Sequence, residues 1–445
     1  MTTAMGAALR RIQLGNALSA FGNGFTVPFL FIYVAQVRDL GASTAGIVLA
    51  TFAVAALVVL PFTGRVIDRR GPLPVAIAGT VAAAVGSMGL GLADSESLVV
   101  AAAAALGAGI AVVQPSLATM IVWCSTPTTR SRAFATQFFL NNLGLGVGGL
   151  LGGQLVDVAD PSSFVRLFAI ESVMFLVLGA AIATVRLPKV PKVEDAVPTD
   201  ESAKGGWRSL LADRAMVQLC VLGFVMFFAC YGQFEAGLAA FAVEVTRISP
   251  ATLGIALAAN TAAIVLAQFV VLKLVERRRR SRVIALVGLI WTVAWVAAGV
   301  SGLVPGAHGV ATALLISTYA LFGIGESMLA PTMAPLVADL APARLVGQYN
   351  SAFALVKQMA LAIGPAVGGL MAGGGMYVAY IVMLVVCSLG ISALALRMGR
   401  RLTPAQENPL RVPTPRPAAA RVEVKRVEVT PVEFAGKRER ETVSV

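Results

Sequence analysis

The sequence is short of charge. Asp, Glu, Lys and Arg together make up 13% of its 445 residues, where a soluble domain carries about 25%. That fraction cannot cover a water-soluble core of this size with polar surface. Disorder over most of the length is excluded by the same figures, because disorder needs low hydrophobicity and high charge. Histidine occurs once, at His308, and cysteine four times, at Cys124, Cys220, Cys230 and Cys387. The cysteines have no close pairing, so neither a disulfide framework nor a metal site is indicated. They read as small packing residues. No Lys-Ser or Lys-Thr follows the glycine-rich stretches, which excludes a nucleotide loop and an ATP-driven pump. No nucleophile motif accompanies His308, so the chain is not an enzyme and no cofactor is expected. The first apolar run lacks a small-residue cleavage site and reads as a retained helix.

Hydrophobic residues make up 57% of the chain, and the mean hydropathy is +0.82. A helix needs about 20 mostly apolar residues to cross the hydrocarbon. That rule predicts spans at 12–37, 43–63, 73–93, 97–123, 133–155 and 164–185. A second set falls at 215–240, 250–273, 283–303, 308–338, 349–373 and 376–397. Residues 1–186 form a first six-helix bundle, 187–213 a polar linker, 214–401 a second bundle and 402–445 a disordered basic tail. Trp207 to Arg214 is expected to form a short interfacial helix.

The net charge of +12 is an orientation label rather than a nucleic-acid signal. Arg65, Arg69, Arg70, Arg130, Arg132 and Arg277 to Arg280 fall in connections of one parity, with Arg38, Arg166 and Arg247 in the other. By the positive-inside rule both termini are cytoplasmic, in a bacterial inner membrane, and the tail cations contact lipid headgroups. The chain is expected to act as a monomer.

The two sets of spans repeat. At a spacing of 208, Gly24 meets Gly232, Gly46 meets Gly254, Asp68 meets Glu276 and Arg69 meets Arg277. At 216, Gly107-x-Gly109-x5-Pro115 meets Gly323-x-Gly325-x5-Pro331. At 220, Gly144, Val147, Gly148 and Gly149 meet Gly364, Val367, Gly368 and Gly369. The halves are a duplicated six-helix unit.

The loop after the second span reads Gly64-Arg-Val-Ile-Asp68-Arg69-Arg70-Gly71. It resembles the cytoplasmic signature of the major facilitator superfamily, and Leu272 to Arg278 repeats it in degraded form. The resemblance covers the twelve spans and implies an all-α membrane protein with two pseudo-symmetric six-helix bundles. Gly64 lets two helices approach closely. Asp68 is placed to pair with an arginine and with a helix terminus across the seam between halves, making Gly64, Asp68, Arg69, Arg70 and Gly71 a conformational-switch loop. Asn16, Gly22 to Gly24 ahead of Pro28, the Gly107 motif and Arg130-Ser-Arg132 look most like twelve-helix drug–proton antiporters. The arginine that many of these carry in helix four is absent, Ala101 to Ala105 being all alanine. Helix five lacks the antiporter proline.

An ionisable group at mid-bilayer costs at least about 2.5 kcal/mol on insertion scales and is a functional candidate. Glu235, Glu326 and Lys357 are the expected proton-coupling residues, with Glu235 first; Glu171, on a peripheral helix, is a weaker candidate. The expected cavity residues are Asn16, Asn23, Gln114 and Gln137, with Asn141, Tyr231, Gln233 and Asn260. Trp291 and Trp295 read as packing or membrane-facing residues. A weakly polar pocket suits amphipathic compounds, so the leading expectation is proton-coupled efflux of small molecules. An importer or facilitator of sugars or organic acids is the alternative, then a non-transporting receptor or scaffold.

Overall fold

The computed structural model describes residues 3–188, 206–234, 237–304 and 306–411, and the regular structure among them is helical. The first six membrane helices are α1 (Thr3–Thr26), α2 (Gly41–Arg70), α3 (Pro72–Leu92), α4 (Glu96–Trp123), α5 (Pro127–Leu155) and α6 (Pro161–Ala183). The second six are α7 (Arg214–Ala229), α8 (Pro250–Val275), α9 (Arg280–Ser301), α10 (His308–Leu329), α11 (Val346–Gly373) and α12 (Tyr377–Gly399). Proline at the first turn starts α3, α5, α6 and α8, where its missing N–H costs no hydrogen bond. Asp160 caps α6 by accepting from the Ser162 amide at 3.0 Å, and Asp213 caps α7 by accepting from Ala215 and Met216.

Three helices are interrupted. Beyond Thr26 the α1 backbone passes through a 3-10 turn at Val27–Phe29, where Pro28 has no N–H for the ladder, and then a π turn at Tyr33–Val37. The α7 path continues beyond Cys230 as Tyr231–Phe234, Gly237–Ala240 and a π turn at Phe241–Val245. Past Pro331 the α10 path resumes as Met333–Leu340, a break that the predicted continuous span at 308–338 did not contain. Eleven of the helical paths among the described residues are long and apolar enough to cross a membrane. The remaining one is α5, 29 residues long, whose hydropathy is lowered by Asn141, Asn142, Gln154 and its glycines.

Helix packing follows the sequence repeat. In the first half α1 packs on α5 and α6, α3 on α4 and α6, and α2 on α4. Adding six to each number gives the packing of the second half: α7 on α11 and α12, α9 on α10 and α12, and α8 on α10. The seam obeys the same rule, with α2 on α11 and α5 on α8. Paired glycines explain the closest crossings. A Cβ on Gly24 would sit 2.4 Å from the Leu145 carbonyl oxygen of α5, and one on Gly232 would sit 3.0 Å from Gly364 Cα of α11.

Apolar burial is concentrated inside each half. Tyr33, Phe164, Phe168 and Phe175 belong to one first-half cluster, and Trp291, Trp295, Tyr319, Phe322 and Tyr380 belong to the second-half core. Both tryptophans are packing residues: Trp291 Nε1 donates to the Phe322 carbonyl at 3.4 Å and Trp295 Nε1 to the Ala229 carbonyl at 3.0 Å. Leu266, Leu274, Leu370 and Val378 are exposed, as an outer belt in contact with lipid requires.

The chain after α12 departs from expectation. Residues 402–411 belong to the predicted disordered tail, yet Pro404–Glu407 is a helical turn with a capping box from Thr403 and Gln406. Buried Glu407 accepts from the amide and hydroxyl of Ser281, and Asn408 donates to the Glu276 and Arg278 carbonyls at the end of α8. These backbone groups need partners at a helix terminus, which holds the segment in place. Residues 412–445 lie outside the described residues. The short helix expected near the linker end is present at Trp207–Ala212.

Candidate functional site

A cavity of about 490 Å³ lies between the halves, lined from α1, α2, α4, α5, α7, α10 and α11. The α4 contribution is one helical face, Gly107, Ile110, Ala111, Gln114 and Ala118, and the α11 face is Asn350, Phe353, Ala354, Lys357 and Gln358. Spacings of three and four place those side chains on a common stripe. The wall is mainly apolar and aromatic, with amides at intervals.

Of the residues expected to line the cavity, Asn16, Gln114, Gln137, Asn141 and Tyr231 do so. Asn16 is also bonded to Asn141, its Nδ2 donating to Oδ1 at 3.1 Å, which ties α1 to α5. Gln233 is placed elsewhere. It is fully buried and donates to the Phe228 and Gly364 carbonyls, so it joins α7 to α11 as interhelical glue. Asn23 is absent from the cavity wall; its backbone carbonyl accepts from Thr26 where α1 changes pitch. Asn260 is also displaced from the wall. It stands behind Glu326, donating to Oε1 at 3.0 Å and to the Tyr319 carbonyl at 3.2 Å.

Glu326 and Lys357 are the two charged residues in the described cavity wall. Glu326 is 4% exposed and is held by Asn260 and by a hydrogen bond with the Tyr231 side chain. Lys357 presents exposed surface to the cavity, and its Nζ lies 5.4 Å from the Phe227 ring centroid. It therefore faces inward instead of reaching toward the membrane edge. Glu235, the first candidate from the sequence, lies outside the described residues. Glu171 is remote from this cavity, fully buried between helices of the first half, where it accepts from Ser87 Oγ at 2.6 Å.

Beyond one end of the cavity wall, contacts cross the seam between the halves. Asp68 at the end of α2 accepts from the amides of Gly347 at 2.7 Å and Gln348 at 3.0 Å, and from Gln348 Nε2 at 3.0 Å. A carboxylate on the first free amides of a helix is stabilised by their partial positive charge. The expected helix terminus is thus its partner, whereas the expected arginine is replaced by the Gln348 amide; no Asp68–Arg ion pair occurs among the described residues. Gly64 abuts Gln348 and Gly347, Gly71 ends α2 at φ +85°, and Arg69 and Arg70 are exposed. Gln348 passes the connection on, its Oε1 accepting from the Gly206 amide at 2.7 Å.

A second latch was not foreseen. Arg130 of α5 and Arg280 of α9 both pair with Asp339 at the end of the α10 path, Arg280 at 2.6 Å. All three side chains are 10% exposed or less. Asn350 Nδ2 adds a bond to Thr119 Oγ1 at 3.2 Å. The signal available in the sequence was Asp339 itself, a lone acid ending the apolar run Leu336 to Ala338.

A sequence profile of the Major Facilitator Superfamily matches residues 12–301 and 238–436. Multidrug resistance protein 2 of Bacillus subtilis is 28% identical over 150 residues, 32% of this chain and 36% of that protein, so the chain spans about a third of its length. The Quinolone resistance protein NorA of Staphylococcus aureus is 22% identical over 48% of this chain and 55% of its own. Among solved structures, the Escherichia coli fucose:proton symporter FucP superposes with a TM-score of 0.70 at 14% identity, covering 89% of this chain and 99% of its own. The proton:xylose symporter XylE gives 0.70 at 12% identity over 90% and 95%. Identities this low establish the shared fold and nothing finer.

Proposed function

The chain belongs to the Major Facilitator Superfamily and is a membrane transporter, and from that premise we propose that it exports amphipathic small molecules in a proton-coupled, alternating-access cycle. The halves 1–186 and 214–401 rock about the central cavity, joined by 187–213, in a bacterial inner membrane with both termini and the 402–445 tail on the cytoplasmic side. Glu326 binds the proton, with Glu235 as a second carboxylate. The Asp68 and Asp339 latches close the cytoplasmic end and must part for the cavity to open there.

The observation that carries this reading is Glu326, a carboxyl at the cavity wall held by Asn260 and Tyr231. Neutral donors leave it able to exist with or without a proton, as a group handing protons to and from water requires. Export is supported by the multidrug and quinolone resistance relatives. The mainly apolar wall suits amphipathic compounds better than sugars, for which hydroxyl-bonding groups would dominate. The sign of coupling depends on substrate charge. A cation competes with the proton at Glu326 and gives exchange; an anion drawn to Lys357 gives co-movement. In proteoliposomes with an imposed pH gradient, Glu326→Gln abolishes proton-driven flux while substrate counterflow persists. Unaltered proton-driven accumulation in that variant would remove Glu326 from the mechanism.

A further inference from the structure

We infer that Lys357 makes the cavity selective for amphipathic monoanions, a single carboxylate on a ring-bearing apolar body. This deepens the proposed function and rests on its assignment of the cavity as the substrate site. Three observations converge. Lys357 opens onto the cavity with its ammonium above the Phe227 ring, and among the described residues it makes no ion pair within 4.0 Å. The nearby carboxylate of Glu326 is held by Asn260 and Tyr231 and faces Lys357 from beyond ion-pair distance, so it attracts the ammonium without occupying its donors. The remaining wall supplies apolar surface from Phe52, Phe138, Met226, Met333 and Phe353 and, among the described residues, no second cation.

An ammonium has three donors and no acceptor, and a ligand that displaces water from it must supply an acceptor in return. The Phe227 ring stabilises one side of it through cation–π attraction. A ligand carboxylate entering from the cavity supplies the missing acceptor, while the aromatic wall takes the body of the same molecule. One lysine accommodates one negative charge, so phosphates and dicarboxylates bind poorly.

The same arrangement sets how protons and substrate are linked. Glu326 is faced by Tyr231 and Cys230 from α7, by Asn260 from α8 and by Lys357 from α11. Lys357 is faced by Phe227 and Glu326. With Glu326 ionised, the charges of the described wall cancel; with Glu326 protonated, the wall carries a single positive charge. A monoanion binds the protonated form more tightly, and reciprocity requires that it raise proton affinity equally. Proton and anion therefore travel together, and export becomes the discharge of an accumulated organic acid with its proton.

The test is binding to the purified full-length protein in lipid nanodiscs, with naphthylacetate, naphthylacetamide and naphthylethylammonium as anionic, neutral and cationic probes. Naphthylacetate is expected to bind at least about tenfold more tightly than the other two, and more tightly at pH 6 than at pH 8. Lys357→Gln should erase the preference while retaining naphthylacetamide binding, which certifies an intact cavity. Glu326→Gln should keep the preference and flatten its pH dependence. Equal or stronger binding of the ammonium probe, or a preference surviving in Lys357→Gln, overturns the inference and leaves the transport reading standing. If none of the probes binds the wild-type protein, both the cavity assignment and this inference fall.

Discussion

Replacing Asp68 with Asn tests the seam at a single side chain that makes three of its contacts. The carboxylate accepts three hydrogen bonds from Gly347 and Gln348. An Asn of the same shape keeps one oxygen and turns its amide nitrogen toward donors, so it forfeits one or two of those bonds and the charge facing the α11 terminus. Bonds to a charged group contribute about 1.5–3 kcal/mol each, and a charge at a helix end up to about 2 kcal/mol in part-buried geometry. Part of this is recovered by water when the end opens, which leaves a cost near ~2 kcal/mol, roughly a thirtyfold shift away from the closed state.

Spin labels at Arg69→Cys and Ala343→Cys, both exposed positions flanking the contact, would report the shift by electron–electron distance measurement. The background would have its native cysteines replaced. The expected outcome is a longer-distance population in Asp68→Asn that is rare without it. A distance distribution unchanged by Asp68→Asn would show that these hydrogen bonds do not bias the equilibrium, and would refute the role given to the loop.

Two other perturbations probe the same end. Asp339→Asn removes the counter-charge that the buried Arg130 and Arg280 share, leaving Arg280 only the more distant Glu407; losing one partner of a buried ion pair costs about 3–5 kcal/mol, so a lowered melting temperature or an open seam is expected. Apolar replacement of all three residues should recover stability, and its failure to do so would mean that the cost is not electrostatic. Cys124, beyond the end of α4, belongs to an apolar cluster that includes Ala338 and Val346 of the other half. Burial pushes its thiol up to about 11 from the ordinary value of 9.0, so near neutral pH it holds roughly a hundredfold less thiolate. Maleimide labelling of Cys124 should be slow at pH 7, rise with pH, and accelerate in Asp68→Asn; equal rates in wild type and variant would argue against opening at that end.

The helices were legible because lipid leaves few options: an apolar run of sufficient length with its backbone polar groups satisfied is a helix. The repeat was legible through glycines, and the pairs Gly24/Gly232, Gly107/Gly323 and Gly148/Gly368 mark the same helix crossings in each half, whereas Gly46 and Gly254 touch no neighbouring helix. Side-chain direction was not. Gln233 and Tyr231 differ by two positions and so point about 200° apart around the helix; both were expected in the cavity, but Gln233 bonds to a neighbouring helix and only Tyr231 faces it. A regular period allows one of the two to face the cavity, but it does not say which. Asp339 was missed because its partners, Arg130 and Arg280, are 209 and 59 residues away and each read as an ordinary loop cation.

The repeat also locates where the halves diverge. At the registers of 216, 208 and 220, Glu326 corresponds to Ile110, Asn260 to Phe52 and Lys357 to Gln137. The structure supports this alignment, since Gly323 abuts Asn260 as its counterpart Gly107 abuts Phe52. Ile110, Phe52 and Gln137 all line the cavity, so the first half contributes neutral wall at the places where the second half holds charge or its supporting amide. If any carboxylate at the cavity wall could carry the proton, Ile110→Glu would rescue Glu326→Gln. Rescue is not expected, because Phe52 offers no hydrogen bond where Asn260 does and Gln137 offers no positive charge where Lys357 does. Proton-driven flux in Ile110→Glu/Glu326→Gln should stay below about a tenth of wild type, the loss expected from one missing charge-assisted contact. Adding Phe52→Asn and Gln137→Lys should restore part of it. Full recovery with Ile110→Glu alone would show that Glu326 acts by position and that its partners are dispensable.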